Sequence, residues 1–374
     1  MSRYRAIALL PFMAALSGCN LVVLNPAGDV ASQQGDLVVI STLLMLLIIV
    51  PVMALTVLFA WRYRQSNNTA RYEPDWDHST QLELVIWAAP LLIIICLGAI
   101  TWVTTHKLDP FRPLDRIAAD KPLPAGAKPL EVQVVALDWK WLFVYPEYGI
   151  ASVNEMAAPV DRPIRFSLTA STVMNAFYVP ALAGMIYTMP GMETKLHAVI
   201  NQPGTYKGFS SNYSGAGFSH MRFAFLGLSN QDFDGWVAKV KSAGAPLDRN
   251  AYMALEKPSE AVPVQHFGTI DPKLFQAVVN MCVRPGTICM SDMAAIDRAG
   301  GLNAGGKAAA DAILRANTLA GFPDTQQTGL CTVAEAVQAA TSDAAANAGA
   351  VRRPTVTPIS ASATLAGPQR LANP

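Results

Sequence analysis

The chain reads as a two-helix transmembrane hairpin followed by an all-β sandwich or barrel domain, with a short helical and disordered C-terminal tail. Three observations predict this: two long uncharged runs near the N-terminus, a stretch of short alternating strands with turn signals, and an Ala-, Gly- and Pro-rich end. Composition agrees. Of 374 residues, 52% are hydrophobic and only 15% charged, low for a wholly water-soluble chain. The formal net charge is +1 with no long basic run, which argues against nucleic acid as a partner.

Residues 1–18 have the form of a secretory signal. Arg3 and Arg5 supply the charged start, and Ala6 to Ala15 form an apolar core too short to span a bilayer. Leu16-Ser17-Gly18-Cys19 then resembles the lipobox of bacterial lipoproteins, which implies a diacylated Cys19 at the new N-terminus. Residues 19–36 would begin on the outer face of the inner membrane.

The uncharged runs 37–61 and 84–103 contain 25 and 20 residues. At 1.5 Å per residue both can cross a hydrocarbon core of about 30 Å. Pro51 and Pro90 lie inside them, where a kink is tolerated if neighbouring groups satisfy the freed carbonyl. Trp61, Tyr63 and Trp102 mark span ends as interfacial aromatics do. Loop 62–83 carries Arg62, Arg64 and Arg71, whereas Cys19 to Asp36 has no Lys or Arg, so the loop is expected in the cytoplasm. Lys107, Arg112, Arg116 and Lys121 vote the other way, but a lipidated start fixes the first end outside and long domains cross largely regardless of charge.

Residues 104–129, rich in Pro and charge, read as a linker. Alternation then predicts strands at Leu130–Val134, Pro163–Leu168, Lys195–Ile200, Thr205–Ser210 and His220–Leu228, punctuated by Pro190-Gly191 and Pro203-Gly204. Phe233, Trp236, Val237 and Val240 have helical spacing and close a domain over 130–242. In the arm 243–290, Asp271-Pro272 reads as the N-cap and first residue of another helix, carrying Leu274, Phe275, Val278 and Val279. Cys282 and Cys289 can form a disulfide on an oxidising side of a membrane, but with Cys331 also present the pairing stays open. The tail 291–374 lacks apolar periodicity towards its end and is expected to be partly disordered.

The most informative stretch is the loop from Gly208 to Met221. Ser210, Asn212, Ser214, Phe218 and Met221 have the spacing of the copper loop Cys-x-Glu-x-Cys-x3-His-x2-Met in subunit II of cytochrome c oxidases. Only Met221 keeps its ligand type. Asn175, in Val173-Met174-Asn175-Ala176-Phe177-Tyr178, stands where that family carries another His ligand. A protonated hydroxyl does not replace a soft thiolate, and shifting the register to use His220 moves the methionine slot to Arg222 or Phe223. Together with Asp138-Trp139-Lys140-Trp141-Leu142-Phe143, Val153-Asn154-Glu155 and Pro203-Gly204-Thr205-Tyr206, the chain from Cys19 to Met281 resembles subunit II of cytochrome bo-type ubiquinol oxidases.

That resemblance implies a cupredoxin-like outer domain without a metal centre, in a complex that oxidises ubiquinol, reduces dioxygen to water and pumps protons. The haems and copper would belong to a partner subunit I, with subunits III and IV as further partners. Two other readings are a copper-dependent subunit fed by cytochrome c and a free lipoprotein binding module. The vacated ligands oppose the first and the two spans oppose the second. Trp139 matches the tryptophan that receives electrons in copper-bearing relatives, but here reads as a core aromatic with a polar handle. His197 reads as structural, Cys96 as a packing residue, and Asp75, Asp77 and His78 as solvated charges.

Glu83 carries the remaining chemical signal. Leu82-Glu83-x3-Trp87-x2-Pro90 resembles the start of the second span in oxidase subunit II, where the family's Glu marks the cytoplasmic mouth of a proton channel into subunit I. A carboxylate at a membrane boundary can collect protons from bulk water. Processing at Cys19 gives the first testable outcome. Intact-mass spectrometry of the membrane-extracted chain should show loss of residues 1–18 and a diacylglyceryl addition on Cys19. An unprocessed Met1 start would contradict the lipobox reading.

Overall fold

The two apolar runs form helices α1 (Asp29–Arg62) and α2 (Thr80–Lys107) in a computed structural model describing residues 21–71, 73, 75–284 and 287–298. Cys19, Cys331 and the chain beyond 298 lie outside the described residues. Both helices continue through their prolines and outrun the apolar segments at each end. The reason is plain in the sequence: Asp29, Ser32, Gln33, Gln34 and Asp36 end the hydropathy run but not the helical hydrogen bonding. Along the spans the side chains face outward; Leu47 and Leu92 are each 64% exposed, as suits contact with lipid or another subunit.

The first turns of α1 serve as a dock. The amides of Ala27 and Gly28 both donate to the carbonyl of Ala181 at 2.9 Å, and Asn201 N donates to Ala27 O at 2.8 Å. Asp29 is buried, accepting from Arg116 Nε at 2.9 Å and Gln33 Nε2 at 2.8 Å. The predicted linker is therefore partly structured. Its Arg116 comes from strand β1 (Arg116–Ala118), which pairs with β2 (Lys121–Pro122), and Ile117 is buried.

Two sheets face each other beyond this point. One comprises β3 (Leu130–Leu137), β4 (Lys140–Tyr145), β5 (Ile150–Val153), β7 (Ile164–Ala170) and β10 (Thr194–Ala198). The other comprises β6 (Glu155–Pro159), β8 (Asn175–Tyr178), β9 (Ile186–Thr188), β11 (Gly204–Ser210) and β12 (Arg222–Leu228). Their orders are β10-β7-β3-β4-β5 and β6-β12-β11-β8-β9, with β3/β7 and β6/β12 parallel and the other pairs antiparallel. Alternate residues Val132, Val134, Trp141, Phe143 and Phe166 meet Phe177, Phe223 and Phe225 between the sheets. Tyr145 bolts them together. Its hydroxyl donates to Ala157 O and accepts from Ala157 N, each at 2.9 Å, and burial pushes the phenol's pKa far up.

A helix extends the core that lies between the sheets. Helix α3 (Asn230–Ser242) buries Phe233, Trp236, Val237 and Val240 as the spacing predicts, with the Ser229 hydroxyl capping Asp232 N at 3.1 Å. Residues 243–290 then wrap across the opposite face of the first sheet. Strand β13 (Pro246–Leu247), helix α4 (Arg249–Glu256), strands β14 (Gln265–Phe267) and β15 (Thr269–Ile270) and helix α5 (Leu274–Val279) follow in order. β14 pairs with β5 and becomes the sixth strand of the first sheet, so the arm is part of the fold rather than an appendage. Helix α5 starts later than the sequence suggests. Asp271 Oδ1 accepts from Lys273 N at 2.9 Å and makes a turn that precedes the helix instead of capping it at Pro272. Cys282 and Cys289 are joined in a disulfide with Cα atoms 4.8 Å apart.

Packing divides the chain into two units, Met1–Ser291 and Asp292–Pro374. Of the second, only residues 292–298 are described, within helix α6 (Met290–Arg298).

Gly28 tests the docking of the first span. A Cβ at this position would lie 2.5 Å from Val199 O and 2.8 Å from Leu182 O, both backbone atoms. Gly28→Ala should therefore force the segment off the sheet, destabilise the fold by about 1–3 kcal/mol, and accelerate limited proteolysis around residues 25–30. Wild-type protease resistance in this variant would show that the close approach is not maintained.

Candidate functional site

Strands β8 and β11 pair so that Ser210 lies opposite Phe177, which brings the ends carrying Asn175 and Ser210 together. Both side chains are buried. Ser210 Oγ lies 3.1 Å from Asn175 Oδ1 and 3.2 Å from Asn212 O, while Ala176 N points at the same hydroxyl from 3.4 Å. Asn175 Nδ2 donates to Val173 O, and Thr188 Oγ1 donates to Asn175 O. Thus the buried amide and hydroxyl satisfy each other and the adjacent backbone, as groups removed from water must.

The rest of the loop is ordered in the same manner. Asn212 Nδ2 lies 3.2 Å from Met174 O, and Ser214 Oγ lies 4.0 Å from the sulfur of buried Met221. Phe218 enters a short 3₁₀ turn and stacks edge-on to Tyr213 at 5.6 Å. Trp139 Nε1 donates to Ser214 O at 3.0 Å, and its ring lies against Gly217, where a Cβ would come within 2.4 Å. Trp139 has φ 63, so a left-handed corner between β3 and β4 aims the indole at the loop. The polar-handle reading of Trp139 agrees with this contact.

The donor set decides what the site can hold. Hydroxyls, carboxamides, a phenyl ring and one thioether supply neither thiolate nor imidazole, so the residues in the copper-loop positions do not fit a binuclear copper centre. The loop's own hydrogen bonds occupy the places that ligands would fill. His197 lies elsewhere, with Nδ1 3.1 Å from Pro110 O, bracing β10 against the segment after α2. Cys96 is half-buried in α2 with a free thiol.

At the opposite end of α2, Glu83 meets His78, which the sequence reads as a solvated charge and which is largely exposed here. Glu83, in the first turn, has Oε1 2.7 Å from His78 Nδ1, and the other ring nitrogen of His78 lies 3.2 Å from Thr80 Oγ1. The signal was available. Ser79 flanks the helix start, which makes His78 and Glu83 the positions before the cap and four into the helix, next to each other across the first turn.

Comparison with known proteins identifies the outer domain and the arm that follows it. Residues 149–226 match the family described as cytochrome c oxidase subunit II, periplasmic domain, and residues 241–286 match the COX aromatic rich motif. The cytochrome bo(3) ubiquinol oxidase subunit 2 of Pseudomonas putida is 50% identical over 278 residues, 74% of this chain and 86% of that one. The ubiquinol oxidase subunit 2 of Acetobacter aceti is 47% identical over 279 residues, covering 75% and 88%. The quinol oxidase subunit 2 of Bacillus cereus is 38% identical over 282 residues, covering 72% and 93%.

The donor chemistry yields a direct test. Purified chain incubated with copper and reductant, then desalted, should retain no stoichiometric copper at the loop and show no thiolate-to-copper absorption. Stoichiometric copper that survives desalting and is lost on Met221→Leu would overturn the assignment.

Proposed function

Because this chain belongs to the ubiquinol oxidase subunit 2 family, we propose that it is the non-catalytic subunit II of a proton-pumping terminal oxidase, which oxidises ubiquinol and reduces dioxygen to water. The observation that carries this reading is the pairing of high identity to ubiquinol oxidase subunits with a loop whose donors are hydroxyl and amide. A quinol is lipid-soluble and delivers its electrons within the membrane, so no outer copper relay is required. The haems and copper reside in the partner subunit I, and subunits III and IV complete the complex. This chain supplies the outer domain, the two spans that fix it in the inner membrane, and a lipid anchor on Cys19.

Glu83 is its chemical contribution. Placed in the first turn of α2, its carboxylate sits where the span meets the cytoplasmic surface and is about half exposed in this chain alone. A group there takes protons from bulk water and passes them inward, towards subunit I. The electron-transfer alternative, in which cytochrome c feeds a copper centre here, is opposed by Asn175, Ser210, Asn212, Ser214 and Phe218.

Mild-detergent purification should yield a haem-containing complex that consumes oxygen with ubiquinol and not with reduced cytochrome c. Within that complex, Glu83→Ala should slow reduction of the oxygen site by about tenfold with haem content unchanged, and Glu83→Asp should be milder. Unaltered reduction kinetics in a fully assembled Glu83→Ala complex would reject the proton-uptake role.

A further inference from the structure

We propose that Met281, Met290 and Met192 bind a cuprous ion at the surface of the outer domain, at a place separate from the vacated copper loop and independent of the oxidase reading. The starting point is which apolar side chains the domain leaves in water. Among the described residues between 111 and 291, ten large apolar side chains stand exposed, and five of them are methionine: Met174, Met185, Met192, Met281 and Met290. Leucine and isoleucine are absent from that set, so hydrophobicity alone does not account for the choice. What methionine adds is sulfur.

Two of these sulfurs converge on one turn. Pro190-Gly191 turns the chain between β9 and β10 with Gly191 at φ 70, and a Cβ at Gly191 would lie 2.9 Å from Met290 Sδ and 3.5 Å from Met281 Sδ. The sulfurs therefore stand no further apart than those two distances together, and glycine leaves that space to them. Met192 is the next residue in the chain and is 51% exposed. Covalent structure holds the pair. Met281 precedes Cys282 and Met290 follows Cys289, and the disulfide between those cysteines, with Met290 N donating to Asn280 O at 3.0 Å, fixes the two backbones side by side. Joined to each other, the cysteines supply no thiolate, so the site is one of thioethers.

Thioether sulfur is soft, neutral and polarisable, which selects Cu(I) over the divalent ions that oxygen and imidazole ligands take. A monovalent ion also suits ligands that carry no charge, because a divalent one would leave more charge uncompensated. Among the described residues, no group of three or more His, Cys, Asp or Glu gathers to compete for it. Methionine turns about three bonds, so modest rotations bring the sulfurs round a single ion. Met221 takes no part, since it is buried beneath the loop with its sulfur 4.0 Å from Ser214 Oγ. Met281 and Met290 are 52% and 40% exposed, so the ion enters and leaves through water and the site is one of exchange.

The test uses the full chain in detergent, titrated anaerobically with Cu(I) against a chromogenic cuprous chelator, with ascorbate as the reductant so that the disulfide stays closed. One equivalent should bind, with sulfur as the nearest neighbour of copper in X-ray absorption. Met281→Leu, Met290→Leu and Met192→Leu, which nearly conserve side-chain volume, should each weaken binding by about tenfold or more, as loss of a metal-site group does. Met185→Leu and Met221→Leu should leave it unchanged, and thermal melting of every variant serves as the control for the fold. Binding that Leu at 281, 290 and 192 does not weaken, or a nearest shell of nitrogen and oxygen, would overturn the proposal. Failure to bind Cu(I) at all would overturn it too, and would leave the exposed methionines as an adaptable docking face for another protein. An ion lost only on Met221→Leu would place the metal in the loop and reject the site at Gly191.

Discussion

Strand β4 buries all six of its side chains, so a single short segment has to be packed from both sides at once. Its residues divide by the two-residue period of a strand: Trp141, Phe143 and Tyr145 point between the sheets, while Leu142 and Val144 point to the opposite face. The first set closes the sandwich. The second set would expose an apolar stripe, and the arm 243–290 exists in the fold to cover it with Leu247, Tyr252, Leu274, Phe275 and Val278. Lys140 continues the outward series and shows how the arm is fastened. Its buried ammonium donates to Asp138 O at 3.1 Å, Lys257 O at 2.9 Å and Ser259 Oγ at 2.7 Å, and desolvation lowers its pKa against the opposing pull of Asp138. Asn154 adds a second fastening, accepting from Trp141 N and donating to Val262 O.

The same strand organises the loop at the outer end of the domain. Trp139 leads into β4 through its left-handed corner, and a rigid β4 holds the indole over Gly215 and Gly217. With that wall in place, the loop can be filled from within by Ser210, Asn175 and the backbone, at no cost in unsatisfied polar groups there. The core is less forgiving one layer down. Trp141 Nε1 is buried without a hydrogen-bond partner, which costs about 1–3 kcal/mol. Its ring nevertheless packs edge-on to Phe177 and Phe223 at 5.5 and 5.8 Å, contacts worth about 0.5–1.5 kcal/mol each beyond burial.

Much of this architecture was legible in order of appearance along the chain. The spans, the strands at 130, 164, 195, 205 and 222, and the amphipathic helix after Ser229 all follow from periodicity, because each has one dominant environment. What was hidden has two environments or depends on distant partners. β4 lacks polar alternation because both faces are buried, and β14 is three residues whose only reason to be a strand is the edge of β5. The N-terminal docking of α1 could not be read because Asp29 looks like a polar end to a span; only the folded chain pairs it with Arg116, 87 residues away. The loop at Ser210 was legible as spacing, whereas its hydrogen-bond filling was not.

Helix α2 links the two regions of interest mechanically. At 1.5 Å per residue its 28 residues extend about 42 Å, longer than the hydrocarbon core of about 30 Å, so both ends emerge into polar surroundings. At one end Glu83 and His78 meet across the first turn. At the other, the chain leaves the helix at Lys107 and within a few residues is tied to the outer domain, where His197 N and Nδ1 both reach Pro110 O. Helix α1 is tied to the same domain by Gly28 and Asp29, so both spans are anchored at their outer ends and neither is anchored to this domain at its inner end. The inner turn is thus free of this chain's own core, and its position must be set by whatever covers the outward-facing Leu, Ile and Val side chains of the spans. In the proposed assembly that cover is subunit I, which would place the Glu83 carboxylate by docking and leave the His78 ring on the water side.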